Sequence, residues 1–208
     1  MVATLINGRA IADEVLTGLG AQVSAMGDTI HLVAICAGDD RGLRAFVRLK
    51  QKAAESIGIQ FSSYFFDADD EDGARETLQH LAADDSVHGV FVELPLPAGW
   101  DTKSLLALIP ATKDVDVLSG AMLTPPAVRA LQYVLDAQGI GVANSRVAVV
   151  GAGALVGKPI ADWLGSVGAV VNVIDIDTPD PMSRSRSADI VIAATGVPGL
   201  ITEDWIKE

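Results

Sequence analysis

The sequence predicts an α/β fold, with an N-terminal α/β domain of catalytic type over residues 1–140 and a Rossmann-like parallel-sheet domain over residues 141–208. Short strands alternate with amphipathic helices along the chain, a pattern typical of parallel sheets with right-handed crossovers. Hydrophobic residues make up 50% of the sequence and aromatic residues only 5%, so small aliphatic side chains form the core, as in strands buried on both faces. A composition shift over 139–144 indicates the domain boundary.

Periodicity and turn signals assign the elements of the N-terminal domain. Its first helix is amphipathic, because Ile11, Val15, Leu19 and Val23 share one face. Prolines at 125 and 126 suit the first turn of its last helix. In chain order, the predicted helices cover 6–26, 42–57, 73–83, 101–109 and 126–137, and the predicted strands cover 29–36, 59–66 and 88–94.

The C-terminal domain begins with a β-branched strand and a glycine loop. Its predicted elements are a strand over 146–150, a helix over 154–167 and strands over 169–174 and 189–194. In parallel sheets, ligands bind beyond the carboxyl ends of the strands. That rule selects the loops 38–44, 93–97, 151–157 and 195–199 as candidate binding segments.

Charge and composition exclude several functions. A net charge of −12 repels phosphate backbones, so nucleic acid is not an expected partner. No spacing of His and Cys predicts a metal site. The single cysteine, Cys36, lies in an apolar run and is expected to be a buried core residue. The chain lacks a basic, apolar leader and a stretch that could cross a bilayer, so we expect a cytoplasmic protein without membrane contact.

The glycine loop predicts a dinucleotide site, with a plain tight turn as the alternative. Gly151, Gly153 and Gly157 stand between a strand and a helix, where a pyrophosphate can meet free N–H groups. Asp175, at the end of the next strand, can accept hydrogen bonds from ribose hydroxyls and repels a 2′-phosphate. NAD is therefore expected to bind more tightly than NADP. The predicted cofactor-binding residues are Gly151, Ala152, Gly153, Val156, Gly157, Asp175, Thr195 and Gly196.

Phe46 and Lys50 form a second candidate site, because a spacing of four residues places them on one helix face. The alternative is a core phenylalanine beside a solvated lysine, since lysines are mostly exposed. Glu93, in the sequence Glu93–Pro97, could likewise belong only to a rigid strand exit. Asp114 and Asp116 could be capping or solvated loop residues.

Several collinear segments carry a family resemblance. They are Phe46-Val47-Arg48-Leu49-Lys50-Gln51-Lys52-Ala53, Val92-Glu93-Leu94-Pro95-Leu96-Pro97, Lys113-Asp114-Val115-Asp116 and Val149 to Pro159, with later matches at 188–196 and 205–207. They are similar to the Tyr-Val-x-x-Lys-x-Lys-Ala, Val-Gln-Leu-Pro-Leu-Pro, Lys-Asp-Val-Asp-Gly and Gly-x-Ser-x-x-Val-Gly-x-Pro segments of the bifunctional methylenetetrahydrofolate dehydrogenase/cyclohydrolase family. The chain resembles a divergent, C-terminally short member of this FolD-like family.

The resemblance implies a role in one-carbon metabolism. The family oxidises methylenetetrahydrofolate to the methenyl form with NAD or, more usually, NADP, and then hydrolyses the methenyl form. The implied catalytic residues are Lys50, Phe46, Glu93 and Asp116. The implied substrate-binding residues are Phe46, Lys50, Leu94, Pro95, Asp114 and Asp116. Position at predicted strand ends, or on the helix after the first strand, separately predicts one cleft lined by Lys50, Glu93, Pro95, Asp116 and Gly151. A homodimer through the second domain is also expected.

The departures from the family pattern bear mainly on hydrolysis. Phe46 replaces a tyrosine and Glu93 replaces a glutamine, so a hydroxyl is lost and Lys50 is expected to be held as a cation. Val117 and Gly153 replace a glycine and a polar residue, and the segment before Pro125 lacks the family's Pro-Cys-Thr-Pro sequence. The family continues beyond the position of Glu208 with a strand and a glycine-rich segment, so the second domain is expected to be truncated.

Three interpretations therefore stay open at the level of sequence. The chain is a folate dehydrogenase with reduced or absent hydrolase activity, a non-catalytic relative that binds folate, nucleotide or a protein partner, or a nucleotide-binding enzyme of another chemistry. Hydride transfer needs mainly two ligands held in contact, whereas hydrolysis needs a poised acid or base. The substitutions therefore threaten hydrolysis more than hydride transfer.

Overall fold

The chain folds into two compact units, Met1–Leu123 and Thr124–Glu208, in a computed structural model that describes residues 3–207. The predicted α/β class with two parallel-sheet regions is confirmed. The division lies before the helix at 126–138, whereas the sequence suggested a boundary at 140/141. The physical reason is packing, because Val128 and Leu131 of this helix join the core cluster of the second unit.

The first unit contains a three-stranded parallel sheet flanked by helices. Its elements are α1 (Gly8–Met26), β1 (His31–Ala37), α2 (Arg41–Ser56), β2 (Gln60–Phe66), α3 (Glu71–Ala83), β3 (Gly89–Val92) and α4 (Thr102–Leu106). The strand order is β2-β1-β3, so β1 is central. Every predicted element of this unit is present, and the short helix predicted over 101–109 ends three residues early.

Alternation along β1 explains why helices cover both faces of this sheet. Val33 and Ile35 are fully buried in a cluster with Leu78 of α3. Ala34 and Cys36 point to the other face and pack in a cluster with Val47 of α2. The sheet is thus buried on both sides, which accounts for the continuous apolar run in its central strand.

An aspartate begins each helix that follows a strand in this unit. The side chains of Asp40, Asp70 and Asp101 accept hydrogen bonds from backbone N–H groups at the starts of α2, α3 and α4. These contacts satisfy donors that have no partner within the helix. The capping contacts also fix the position where each preceding loop ends, including the loop from β1 to α2.

The second unit repeats the parallel plan. Its elements are α5 (Pro126–Gln138), β4 (Arg146–Val150), α6 (Gly157–Ser166), β5 (Val170–Ile174), α7 (Pro181–Arg186), β6 (Ile190–Ala193) and a 3₁₀ turn at Glu203–Trp205. The strand order is β5-β4-β6. In the described part of the chain, none of the helices combines the length and apolar character needed to cross a membrane.

Two features of this unit differ from the sequence prediction. The helix expected from Ala154 begins at Gly157, because residues 154–156 form a turn that completes the glycine loop. The short helix α7 was not predicted, since six residues rich in serine and arginine show no apolar period. Its one fully buried residue is Ser185.

Close backbone approach explains two of the loop glycines. Gly151 has φ of 104°, a left-handed value that favours glycine, and a Cβ there would meet the carbonyl oxygen of Ala194. A Cβ on Gly157 would overlap the carbonyl oxygen of Gly151. The start of α6 and the end of β4 therefore touch through bare backbone, with no room for a side chain.

We predict that Gly157→Ala destabilises the second unit by about 2–3 kcal/mol, because a rigid backbone group must move to admit the methyl group. Gly165→Ala is the matched control, since it lies in the same helix with open space around it. That control is expected to stabilise the helix by roughly 0.5–1 kcal/mol. Urea unfolding of both variants measures the difference, and equal midpoints would contradict the close approach.

Candidate active site

Lys50 and Glu93 form an ion pair in the first unit. Lys50 Nζ of α2 lies 2.8 Å from Oε1 of Glu93, the residue that follows β3. The Glu93 side chain is only 7% exposed, and that of Lys50 is 32% exposed. Glu93 N donates to the Ile35 carbonyl oxygen at 2.8 Å, so the pairing of β3 with β1 continues into this residue. The sheet thus sets the position of the carboxylate.

The contact between Lys50 and Glu93 is chiefly electrostatic. Glu93 Oε1 is buried, and no donor among residues 3–207 meets it within hydrogen-bond geometry, although the Lys50 ammonium lies at contact distance. Buried carboxylate oxygens normally accept hydrogen bonds. The Lys50 ammonium at 2.8 Å is therefore the group that balances the charge of this oxygen.

Two aromatic rings flank the ammonium group. Lys50 Nζ lies 4.2 Å from the ring centroid of Phe91 and 4.8 Å from that of Phe46. Both distances suit cation–π attraction. Phe46 is half-exposed and carries no hydroxyl, so its contribution to this cluster is a ring face.

Sequence reasoning missed Phe91 as a neighbour of Lys50. The signal was available in the strand period, because residues 91 and 93 lie two apart and share a face of β3. Cys36, opposite them on β1, is buried as expected. Burial, and then the charge of Glu93, raises the pKa of the Cys36 thiol to about 12.

The two aspartates of the 113–116 loop have different surroundings. Asp114 is buried, and its Oδ2 accepts hydrogen bonds from Ser119 N at 2.6 Å and Ser119 Oγ at 2.8 Å. Asp116 is half-buried, and burial raises its pKa, with the Lys50 charge opposing and the Glu93 and Asp114 charges assisting. Asp114 shapes the loop, while Asp116 belongs electrostatically to the Lys50–Glu93 cluster.

The remaining residues predicted to bind substrate follow Glu93. Leu94 is half-buried and packs against the cluster around Ile35, whereas Pro95 is exposed. The peptide bond between them is cis. Lys50, Phe46, Glu93 and Asp116 thus gather around one charge cluster, and the assignment of each to catalysis or substrate binding stays a prediction.

The second unit has a cavity of about 380 Å³ at the carboxyl ends of its strands. Among the residues that line it are Gly151, Asp175, Ile176, Thr195, Val197 and Trp205. Sequence reasoning assigned Gly151, Asp175 and Thr195 to cofactor binding. Val197 lies in the candidate loop 195–199 and Trp205 in the matching segment 205–207, but neither was assigned to the site. The predicted residues Ala152, Gly153, Val156, Gly157 and Gly196 complete the loops beside Gly151 and Thr195 in the chain.

A local turn holds the Asp175 carboxylate at this cavity. Asp175 Oδ1 accepts hydrogen bonds from Thr178 Oγ1 at 2.6 Å and from Asp177 N at 3.1 Å. The Thr178 hydroxyl is the main reason that the pKa of Asp175 lies below its usual value. The carboxylate is therefore charged and oriented before a ligand binds.

Among residues 3–207, no three His, Cys, Asp or Glu side chains gather as a metal site.

Comparison with known proteins places both units in one family. Residues 6–116 match the tetrahydrofolate dehydrogenase/cyclohydrolase catalytic domain, and residues 124–208 match the NAD(P)-binding domain of the same family. The curated protein "Bifunctional protein FolD 2" of Geobacter sulfurreducens is 34% identical over 221 residues, which cover all of this chain and 78% of the relative.

Solved structures agree with these sequence matches. The Trypanosoma brucei methylenetetrahydrofolate dehydrogenase-cyclohydrolase, complexed with NADP cofactor and inhibitor, superposes with a TM-score of 0.93 at 30% identity, over 99% of this chain and 76% of that one. The bifunctional enzyme of Campylobacter jejuni gives a TM-score of 0.90 at 30% identity, over 99% and 78% of the two chains. The chain therefore belongs to the tetrahydrofolate dehydrogenase/cyclohydrolase family, with the family's catalytic domain as its first unit and the NAD(P)-binding domain as its second.

Proposed function

We propose that this protein is an NAD(P)-dependent methylenetetrahydrofolate dehydrogenase with strongly reduced methenyltetrahydrofolate cyclohydrolase activity. The observation that carries the proposal is the Lys50–Glu93 ion pair beside Phe46. Hydrolysis requires a side chain that gives or takes a proton, and a paired lysine beside a phenylalanine is poorly suited to that role. Hydride transfer makes no such demand, because the cofactor carries the chemistry.

The second unit supports the cofactor part of the proposal. Gly151 and Gly157 leave bare backbone where α6 begins, and a helix start attracts the negative charge of a pyrophosphate. Asp175 would accept hydrogen bonds from the ribose hydroxyls. Thr195 and Val197 line the same cavity. When bound there, the nicotinamide cofactor supplies the hydride acceptor.

A non-catalytic relative is the second candidate, because the same two substitutions at positions 46 and 93 could remove all turnover. Calorimetric titration with tetrahydrofolate, NAD and NADP, followed by a dehydrogenase assay, separates the candidates. Binding without turnover supports the non-catalytic relative, and turnover of methylenetetrahydrofolate supports the dehydrogenase.

The expected homodimer and the cytoplasmic location stay predictions. Sedimentation of the purified chain measures its oligomeric state.

We predict that the Phe46→Tyr and Glu93→Gln double variant hydrolyses methenyltetrahydrofolate roughly a hundredfold faster than the unmodified chain. The double change restores a hydroxyl and removes the carboxylate that pairs with Lys50. The decay of the methenyl absorbance measures the rate. Adding Lys50→Met to the double variant is the control and should abolish the gain. Equal hydrolysis by the unmodified chain and the double variant would refute this account.

We predict that NAD binds roughly tenfold more tightly than NADP, because the oriented Asp175 carboxylate repels a 2′-phosphate. Asp175→Asn should narrow this preference, and Asp177→Asn, which removes a nearby charge from the same loop, should change it less. Calorimetry with both nucleotides measures the affinities.

Arg184 offers an independent check on this cofactor preference. Its guanidinium Nε donates to the Pro179 carbonyl oxygen at 3.0 Å, and it is the next cation after Asp175 in the chain. Arg184→Ala should leave the NADP affinity unchanged if the arginine stays in that contact. Tighter binding of NADP than of NAD by the unmodified chain would contradict the preference outright.

We predict that Asp116→Asn stabilises the ligand-free protein at pH 7 while weakening folate binding. Burial raises the pKa of Asp116 in the folded state, so folded protein holds this proton more tightly than unfolded protein does. The stability that Asp116 contributes is present at low pH and is lost as pH rises through the raised pKa. The gain from Asp116→Asn should therefore shrink on acidification.

Urea unfolding at neutral and acidic pH tests this sign. Asp114→Asn serves as the control, because it weakens two hydrogen bonds from Ser119 and should destabilise the protein by roughly 1–3 kcal/mol at neutral pH. A loss of stability in Asp116→Asn at pH 7 would show that this carboxylate has partners that outweigh its burial.

A further inference from the structure

The charge cluster of the first unit contains more carboxylates than cations. Glu93 touches Lys50, and Asp116 lies close enough for its pKa to respond to the charges of both. With all three ionised, one positive charge faces two negative charges. A glutamine at position 93 would instead leave one of each. The glutamate at position 93 therefore adds one negative charge to the cluster. This charge favours the binding of a cation.

The Glu93 carboxylate is held in a fixed and largely buried position. The side chain is more than nine-tenths buried, and its Oε1 lies 2.8 Å from Lys50 Nζ. Lys50 is held between the Phe46 and Phe91 rings, so its ammonium is shared among three neighbours. A fixed carboxylate in a largely buried position attracts positive charge more strongly than one in water.

The proposed reaction creates positive charge on the folate. The C–H bond of the methylene bridge breaks, and both of its electrons leave with the hydrogen as hydride to the oxidised nicotinamide. The bridge carbon, bonded to two nitrogens, is left as an amidinium cation, and no other proton or electron moves. Hydrolysis acts on this same carbon. On the proposed function, which assigns Lys50 to hydrolysis, Lys50 and the Glu93 carboxylate touching it would lie near the developing cation.

We infer that Glu93 is a counter-ion for the cationic methenyl bridge, which favours hydride removal and retention of the methenyl product over its hydrolysis. This inference rests on the proposed function. A bare Lys50 ammonium repels the developing cation, whereas the Lys50–Glu93 pair is neutral and Asp116 adds a further negative charge. One substitution thus has opposite effects on the two activities of the family.

The test compares the unmodified chain with Glu93→Gln, which removes the charge, and Glu93→Asp, which keeps it. Each is titrated by calorimetry at pH 7 with methenyltetrahydrofolate, whose bridge is cationic, and with tetrahydrofolate, which lacks a charged bridge. Glu93→Gln should bind the methenyl compound about tenfold more weakly and tetrahydrofolate within about twofold. Its dehydrogenase rate should fall about tenfold, and Glu93→Asp should restore much of the loss.

The outcomes distinguish this inference from the proposed function. If the unmodified chain binds neither folate, the proposed function fails, and the inference fails with it. If it oxidises methylenetetrahydrofolate but Glu93→Gln binds the methenyl compound as tightly as before, only the inference fails. An equal loss of affinity for both folates would show that Glu93 is merely structural, and it would also overturn the counter-ion role.

Discussion

Burial of β1 on both faces is the constraint on which the first unit depends. Its side chains alternate between a cluster with α3 and a cluster with α2, so each neighbouring helix packs on a fixed set of positions. The same strand accepts the Glu93 N–H through the Ile35 carbonyl oxygen. One central strand therefore positions the lysine, through α2, and the carboxylate, through β3. The ion pair is a consequence of sheet register.

Much of this arrangement was predictable from local pattern. Apolar runs bounded by glycine and aspartate identify the strands, and the i, i+4 spacing of Phe46 and Lys50 places both on one helix face. Other parts were not predictable because they depend on packing. The assignment of α5 to the second unit follows from its contacts with β4 and α6, and the contact of Phe91 with Lys50 follows from the approach of α2 to β3.

The two units differ in how their candidate sites are built. In the second unit, the glycine loop exposes backbone groups to the cavity. Glycine matters there because it has no side chain to block the close approach of other backbone atoms. In the first unit, the candidate site consists of charged groups and aromatic rings. Glu93, in place of the glutamine in the family pattern, changes the charge of this site without changing the size of the side chain. Such a substitution leaves the fold and the similarity to the family intact, while it changes the ligand charge that the site favours. Family membership and retained activity are therefore separate questions for this chain.

The burial of Cys36 gives the molecule an internal reporter. Its thiol is fully buried on β1, and a pKa of about 12 leaves almost no thiolate at neutral pH. Since the thiolate is the form that reacts with alkylating reagents, labelling requires the central strand to leave its sheet. Cys36 is the only cysteine in the chain, so the rate of mass gain during labelling measures how often the first unit opens. Folate binding to that unit is then detectable as slower labelling, without any assay of turnover.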